Sequence, residues 1–294
     1  MTETSSLAAR VRRGDCVWSA GAHDVLSALM AQEAGFDAVL TSGFGISASM
    51  LGQPDVELYT MTENLSVVAN VVAALRVPVV ADADTGYGNA INVMRTVRAF
   101  EKAGAEALIL EDQLMPKRCP AIAARVELIP MSEGVAKIRA AVAARRNPDM
   151  LIVARTDADT KAESIRRARA YAQAGADMIQ PISAGYATLA DLQDLRRECG
   201  RPLSLQVMRW IESDLDPDAL ASVAGIAHFP LVGLLTAAEA LRQNYRALRE
   251  RKGTRRGLPR PTMSLQDFRS FIGYPEIERL QAEFLSEATA EHAT

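Results

Sequence analysis

Glu33-Ala34-Gly35-Phe36-Asp37-Ala38-Val39-Leu40 recurs as Lys102-Ala103-Gly104-Ala105-Glu106-Ala107-Leu108-Ile109 and again as Gln173-Ala174-Gly175-Ala176-Asp177-Met178-Ile179-Gln180. Each copy sets Ala-Gly before an acidic residue and an apolar run, and the glycines lie 69 and 71 residues apart. Such a string is a helix stopped by a left-handed glycine and followed at once by a strand. Each interval holds two strand–helix units of about 35 residues, an ordinary size for the unit. Val223 to Pro230, with Gly225 in the glycine position, is a looser fourth copy.

Working outward from the repeats, short apolar runs bounded by turn residues predict strands at Val17–Ser19, Ala38–Thr41, Val77–Ala81, Ala107–Glu111, Leu151–Arg155, Met178–Pro181, Leu203–Gln206 and Ile226–Phe229. Runs this short and uniformly apolar suit parallel strands buried on both faces. Amphipathic stretches lie between them, at Val25–Ala34, Asn64–Leu75, Val93–Ala103, Glu133–Arg145, Ser164–Ala174 and Leu189–Arg197. Eight strands alternating with helices predict an α/β fold, a (β/α)8 TIM barrel over residues 1–250. A doubly wound sheet is the alternative. Residues 251–294 read as a basic linker, Arg251–Arg260, and C-terminal helices. Their apolar residues Phe268, Phe271, Ile272, Ile277, Leu280 and Phe284 need a surface to pack on, and a neighbouring subunit would supply one. Asp112 to Met131 is a long connection of the kind that forms lids or binding loops.

Composition excludes several classes. The chain has 294 residues, 33 Lys+Arg against 36 Asp+Glu, and a formal charge of −3, so no basic surface invites nucleic acid. Its apolar runs are far shorter than the ~20 residues that span a bilayer, and the N-terminus has no apolar signal region. Cys16, Cys119 and Cys199 are odd in number and lack metal-type spacing, which predicts reduced thiols in a cytoplasmic protein.

In a barrel, chemistry sits where strand C-termini meet the following loops. The second predicted strand runs into Ser42-Gly43-Phe44-Gly45, the third into Asp82-Ala83-Asp84-Thr85-Gly86-Tyr87-Gly88, the fourth into Glu111-Asp112-Gln113 and the fifth into Arg155-Thr156-Asp157. Asp82, Asp84 and Glu111 are hard oxygen donors that repel one another unless a cation sits among them. Without a Cys/His set they suit Mg²⁺, with Mn²⁺ as the alternative. Helix capping is the competing reading for Asp84 and Asp157. The Ser42-Gly43-Phe44 turn offers N–H groups and a hydroxyl to a carboxylate, or is merely a tight turn. Arg155 is a fork for a substrate carboxylate, or a salt-bridge partner of Glu111 or Asp157. Cys119 follows Lys117 and Arg118, which favour its thiolate and a catalytic role. Of the histidines, His23 lies near the rim, His228 reads as a core residue, and His292 is in the tail.

Together these strings resemble the isocitrate lyase / phosphoenolpyruvate mutase superfamily, in the branch of 2-methylisocitrate lyase and carboxyphosphonoenolpyruvate mutase. The likeness runs from about Ser19 to Leu248. It rests on Asp82 to Asn89, Glu111-Asp112-Gln113, Pro116-Lys117-Arg118-Cys119 and Ala154 to Ala158, with Ser47 to Gly52 and Pro54-Asp55 in support. The resemblance implies a barrel whose last helix is swapped between subunits of a homodimer or homotetramer, and Mg²⁺ bound with a 2-oxo acid. Asp82 would be the direct ligand, Asp84 and Glu111 would hold metal-bound waters, and Asp55 would lie close by as a catalytic residue. Ser42, Gly43 and Arg155 would bind the oxo-acid carboxylate, and Cys119 would be the general acid.

The departures concern the distal pocket. Pro120-Ala121 replaces the usual Gly-His, Leu40 stands at a tyrosine position and Ile182 at a glutamate position. Gln206 and Arg209 stand where the lyases place Asn and Glu in their substrate pocket. Arg209 would suit an additional anionic group or pair with Glu212. The expected activity is an Mg²⁺-dependent carbon–carbon lyase on a small 2-hydroxy di- or tricarboxylate. The alternatives are a phosphonomutase, a 2-oxo-acid hydrolase or decarboxylase, and a non-catalytic member of the family.

Overall fold

The computed structural model describes residues 6–118, 126–182, 185–186, 188–208 and 215–285. The chain divides into two compact units, Met1–Leu235 and Thr236–Thr294.

The first unit is a closed barrel of eight parallel strands in sequence order: β1 (Val17–Ala22), β2 (Ala38–Thr41), β3 (Val79–Asp82), β4 (Ala107–Glu111), β5 (Leu151–Thr156), β6 (Met178–Pro181), β7 (Leu203–Gln206) and β8 (Ala224–Phe229). The doubly wound alternative is thereby excluded. β8 closes on β1 with Val17 opposite Ile226 and Ser19 opposite His228. Closure is tight at Gly21, where a Cβ would stand 2.1 Å from the Pro230 carbonyl oxygen, so only glycine fits.

The helices are α1 (Leu7–Arg13), α2 (Val25–Glu33), α3 (Gly43–Ile46), α4 (Met61–Ala74), α5 (Ala90–Ala103), α6 (Met131–Ala144), α7 (Lys161–Gln173), α8 (Leu189–Cys199), α9 (Pro217–Val223) and the long α10 (Val232–Arg251). From Thr236 on, α10 belongs to the second unit, which adds α11 (Leu265–Phe271) and α12 (Tyr274–Phe284). Most barrel helices start on a polar cap: Asp24, Thr60, Asn89, Thr160 and Thr188 each accept an amide of their own first turn. At the other end Gly35, Gly104 and Gly175 all have positive φ, as the repeat requires. Gly225 does not follow the pattern. It lies inside β8, and Ala224 caps the preceding helix in extended conformation.

Side-chain alternation along the strands makes two cores. Leu40, Val80, Ile109, Val153, Met178 and Ile226 fill the barrel, joined by Leu7, Ala8 and Val11 of α1, which plugs the end opposite the strand C-termini. Ala81, Leu108, Leu110, Ile152, Ala154 and Ile179 face outward against Val97, Phe100, Ile138, Ala168 and Leu195 of the surrounding helices. His228 is a core residue, as expected. Its Nε2 lies 3.0 Å from Ser204 Oγ, which donates to Gln180 Oε1 at 2.8 Å. Burial depresses the imidazole to a pKa of about 3, so it stays neutral.

Candidate active site

The rim is assembled from four consecutive strand ends and the loops that follow. After β3 the backbone leaves regular geometry, with Asp84 at φ +50° and Tyr87 at φ +60°. These are sparsely populated angles for non-glycine residues and persist where the surroundings over-determine them. Here a hydrogen-bond cage does so. Asp82 Oδ1 accepts the Asp84 amide at 3.1 Å and Asp82 Oδ2 accepts the Gly43 amide at 3.4 Å. Asp84 Oδ2 accepts the hydroxyls of Tyr59 at 2.5 Å and Tyr87 at 3.0 Å. Asn64 Nδ2 donates to the Asp82 carbonyl and the Tyr87 hydroxyl, at 2.8 and 2.7 Å.

The capping reading of Asp84 and Asp157 is overturned, because Asn89 and Thr160 cap the helices that follow. Both aspartates belong to the rim. Both salt-bridge readings of Arg155 hold at once. Its Nε and Nη2 grip Asp157 at 2.9 and 2.8 Å, and its Nη1 lies 2.9 Å from Glu111 Oε2. Arg155 is therefore a planar fork held by two carboxylates.

Lys117 supplies a second cation. Its ammonium is in contact with Asp84 and lies 2.8 Å from Asp55 Oδ1, with the side chain 2% exposed. Burial alone would push this lysine's pKa down. Asp84, Glu111, Asp55 and Asp82 outweigh burial and hold it well above its usual value, so it is charged.

Five carboxylates (Asp55, Asp82, Asp84, Glu111 and Asp157) thus meet two cations, Lys117 and Arg155. Burial of the acids shows in their titration. Asp82 is raised to about 6, first by burial and then by Asp84. Glu111 is raised well above the carboxylate range, chiefly by burial, and its Oε1 is buried without a hydrogen-bond partner. A divalent cation fits this donor set. Among the described residues no three acidic, histidine or cysteine side chains gather tightly enough to grip an ion by themselves. Mg²⁺ commonly takes one or two carboxylates and keeps several waters.

Ser42 is the N-cap of α3 and accepts the Gly45 amide at 3.4 Å. Its own amide is committed to the Ala22 carbonyl. The Gly43 amide is turned to Asp82 Oδ2, so a carboxylate at this turn would meet the Ser42 hydroxyl and compete with Asp82 for that amide. At Gly43 a Cβ would come within 2.6 Å of the Tyr59 hydroxyl and 3.1 Å of both Asp82 Oδ2 and Asp84 Oδ1. His23 packs beside this turn, where a Gly45 Cβ would meet the His23 Cβ at 2.7 Å. Gln206 ends β7 and is buried. Cys119 and Arg209 lie outside the described residues.

Sequence reasoning missed Tyr59, Asn64 and Glu57, and took Lys117 only as a neighbour of Cys119. Tyr59 immediately precedes a capping box, Thr60 with Glu63, that pins the start of α4, and this signal was available. Tyr59 does not replace the tyrosine absent at Leu40 as a base. Burial and Asp84 push its pKa far up and keep it a neutral donor. Glu57 accepts the Thr85 amide and hydroxyl at 3.2 and 3.1 Å, and burial raises it to about 7.

The phosphoenolpyruvate phosphomutase family profile matches residues 7–250. A 2-methylisocitrate lyase from Aeropyrum pernix is 36% identical over 278 residues, covering 93% of this chain and 88% of that enzyme. A 2,3-dimethylmalate lyase from Eubacterium barkeri is 54% identical over 162 residues, covering 54% of this chain and 56% of that enzyme, about half of each. A phosphonopyruvate hydrolase solved with oxalate and Mg²⁺ superposes with a TM-score of 0.85 at 30% identity, covering 97% of this chain and 100% of that one. An eight-stranded barrel with this acidic rim, matched along most of its length by lyase and phosphomutase sequences, belongs to the phosphoenolpyruvate phosphomutase family of the PEP mutase/isocitrate lyase superfamily.

Proposed function

We propose that this protein is an Mg²⁺-dependent carbon–carbon lyase, with Mn²⁺ as the alternative ion, cleaving a small 2-hydroxy di- or tricarboxylate into a 2-oxo acid and a second carboxylic acid. The observation that carries the reading is the rim where Asp82, Asp84 and Glu111, short of positive charge, face Arg155 held by Glu111 and Asp157. Likeness to two carbon–carbon lyases supports cleavage as the reaction.

Asp82, with Asp84 and Glu111 through waters, would hold the cation, which would supply positive charge to the oxygens of the 2-oxo acid fragment. The Ser42 hydroxyl and the Gly43 and Phe44 amides bind that fragment's carboxylate, and Arg155 turns its remaining N–H groups to it. The 2-hydroxyl proton passes to a water in the site as that oxygen becomes the carbonyl of the 2-oxo acid, the carbon–carbon bond breaks, and its electron pair stays on the other fragment as an enolate-type carbanion. Cys119 transfers its Sγ proton to that carbon. Lys117, two residues before it, is buried against Asp84 and Asp55, which brings the start of this connection to the rim. Gln206 and Arg209 face the distal part of the substrate in this reading.

The protein works as a cytoplasmic homo-oligomer, a dimer or tetramer, in this proposal. Free Cys16 and Cys199 support a reducing compartment. In the second unit, exposed Leu241 and Tyr245 on α10 and Ile277 and Phe284 on α12 are apolar side chains suited to packing against a second copy. No helix among the described residues is long and apolar enough to cross a membrane.

A thermal-shift screen of 2-hydroxy and 2-oxo acids with Mg²⁺ finds the ligand, and product analysis identifies the reaction. Release of a 2-oxo acid with a second carboxylic acid supports the lyase. Cys119→Ser keeps oxalate binding but lowers turnover by about 10²-fold or more; unchanged turnover removes Cys119 as the acid. The second reading is hydrolysis, decarboxylation or phosphonate chemistry on a 2-oxo acid, favoured by likeness to the phosphonopyruvate hydrolase. Phosphorus NMR of a phosphonate substrate separates it from the lyase.

A further inference from the structure

We propose that Arg167 is a positioning residue: through Asp112 it sets the posture of Arg155 at the rim, and it pins the far end of the 112–131 connection. Arg167 lies on α7, on the helix side of the sheet, and its partners are Glu163, Asp112, Tyr171 and Ile129 rather than Arg155, Lys117 or the five carboxylates around them. Its Nη1 donates to Asp112 Oδ2 at 3.0 Å and its Nη2 to the Ile129 carbonyl at 3.0 Å. The Tyr171 hydroxyl, one turn further along α7, donates to the same Asp112 oxygen at 2.8 Å. All three side chains are buried, Arg167 at 6%, Asp112 at 2% and Tyr171 at 1% exposure.

Asp112 passes this anchorage in two directions. Its Oδ1 accepts the Asp157 amide at 3.1 Å. Asp157 in turn grips Arg155 with both carboxylate oxygens, so the guanidinium is placed by a chain that begins on α7. The Asp112 carbonyl accepts the Ile129 amide at 3.0 Å, and Leu114 donates to the Glu127 carbonyl at 2.7 Å beside the Gln113–Leu128 bridge. Both strands of this stem are therefore tied to the rim at one residue, and Arg167 clamps the stem from outside.

Two features say that the clamp is more than packing. A buried ion pair is weak evidence for stability, since apolar residues of like volume often serve as well. Its geometric return is the fixed direction of every bond it makes. Second, α6 gives up a side chain for it. At Gly134 a Cβ would stand 2.4 Å from the Tyr171 hydroxyl, so a helix-weakening glycine is what lets that hydroxyl reach Asp112.

The effect on oxalate affinity rests on the proposed function, but the geometry does not, and the test separates them. Amide hydrogen exchange is followed at Asp157 and Ile129 in the full chain, and oxalate affinity is titrated with Mg²⁺. Arg167→Met speeds exchange at both amides by at least tenfold, while core strand amides such as Val153 change far less, and weakens oxalate about tenfold. Tyr171→Phe gives a smaller change of the same pattern, and it is the decisive variant if Arg167→Met fails to fold. Exchange that rises uniformly, or not at all at Asp157 and Ile129, overturns the proposal. Should wild-type protein bind no oxalate, the lyase reading fails, and the exchange data still decide the role of Arg167.

Discussion

Lys117 forms a buried ion pair with Asp84, the two side chains being 2% and 0% exposed. The ammonium also meets Asp55 at 2.8 Å, so one lysine neutralises the side of the acidic rim away from Arg155. Removing one partner of a buried pair commonly costs about 3–5 kcal/mol, because the other charge is left stranded. Lys117→Met should therefore lower the melting temperature in EDTA. Added Mg²⁺ should raise it more than in wild type, since the ion then replaces the lost lysine charge beside Asp84. An equal Mg²⁺ response in the two proteins would show that Lys117 and the cation do not share these carboxylates.

Asp82→Ala and Arg155→Ala separate the two ends of the substrate site. Each removes a fixed charge or its holder from the place where oxygen charge develops, an effect commonly worth a factor of about 10²–10³. Both should lower kcat/KM by at least that much. Asp82→Ala should abolish the Mg²⁺-dependent rise in melting temperature, and Arg155→Ala should leave it. Full turnover by either variant removes the proposed site.

Much of this was legible in the sequence, and the rest was hidden for identifiable reasons. The repeats at Gly35, Gly104 and Gly175 mark helix-to-strand junctions because left-handed backbone there needs glycine. Gly225 shares the string but not the backbone. It is kept small instead by Met178, Pro202 and Val11, each within 3.1 Å of where its Cβ would sit. The α1 plug was missed because seven residues with three buried positions leave no periodic signal. Asp82, Asp84, Glu111 and Arg155 could be read because strand ends in a barrel converge by construction. Tyr59, Glu57 and Lys117 come from irregular segments, where local pattern does not say which way a side chain turns.

Glu57 gives a pH signature. Burial first, and Asp84 second, raise it from 4.5 to about 7. Between those values the folded protein holds a proton that the unfolded chain has lost, so stability falls as pH rises through this window and levels off above 7. Discounted for its partial exposure, the effect is about 1–2 kcal/mol. Glu57→Gln cannot ionise. Its melting temperature relative to wild type, measured in EDTA, should improve by a few degrees between pH 5 and pH 8. A difference that stays constant across that range would refute the assignment.

Gly43 touches both the fold and the chemistry, so its substitution tests them together. An alanine Cβ would stand 2.6 Å from the Tyr59 hydroxyl, which is itself fastened to Asp84 at 2.5 Å. Overpacking of this kind costs about 1–3 kcal/mol, and the strain falls on the Asp82 and Asp84 carboxylates. Gly43→Ala should lower stability by that amount and weaken oxalate at least tenfold. Gly253→Ala, where no atom lies within 4 Å of the new Cβ, should be silent. The double variant Gly43→Ala/Tyr59→Phe is the sharper experiment. Tyr59→Phe alone loses a buried hydrogen bond, yet in the alanine background it also removes the overlapping oxygen. The two costs should therefore sum to less than their separate values, by more than the ~0.5 kcal/mol within which independent sites add. Strict additivity would mean that the Tyr59 hydroxyl does not bound the space at Gly43.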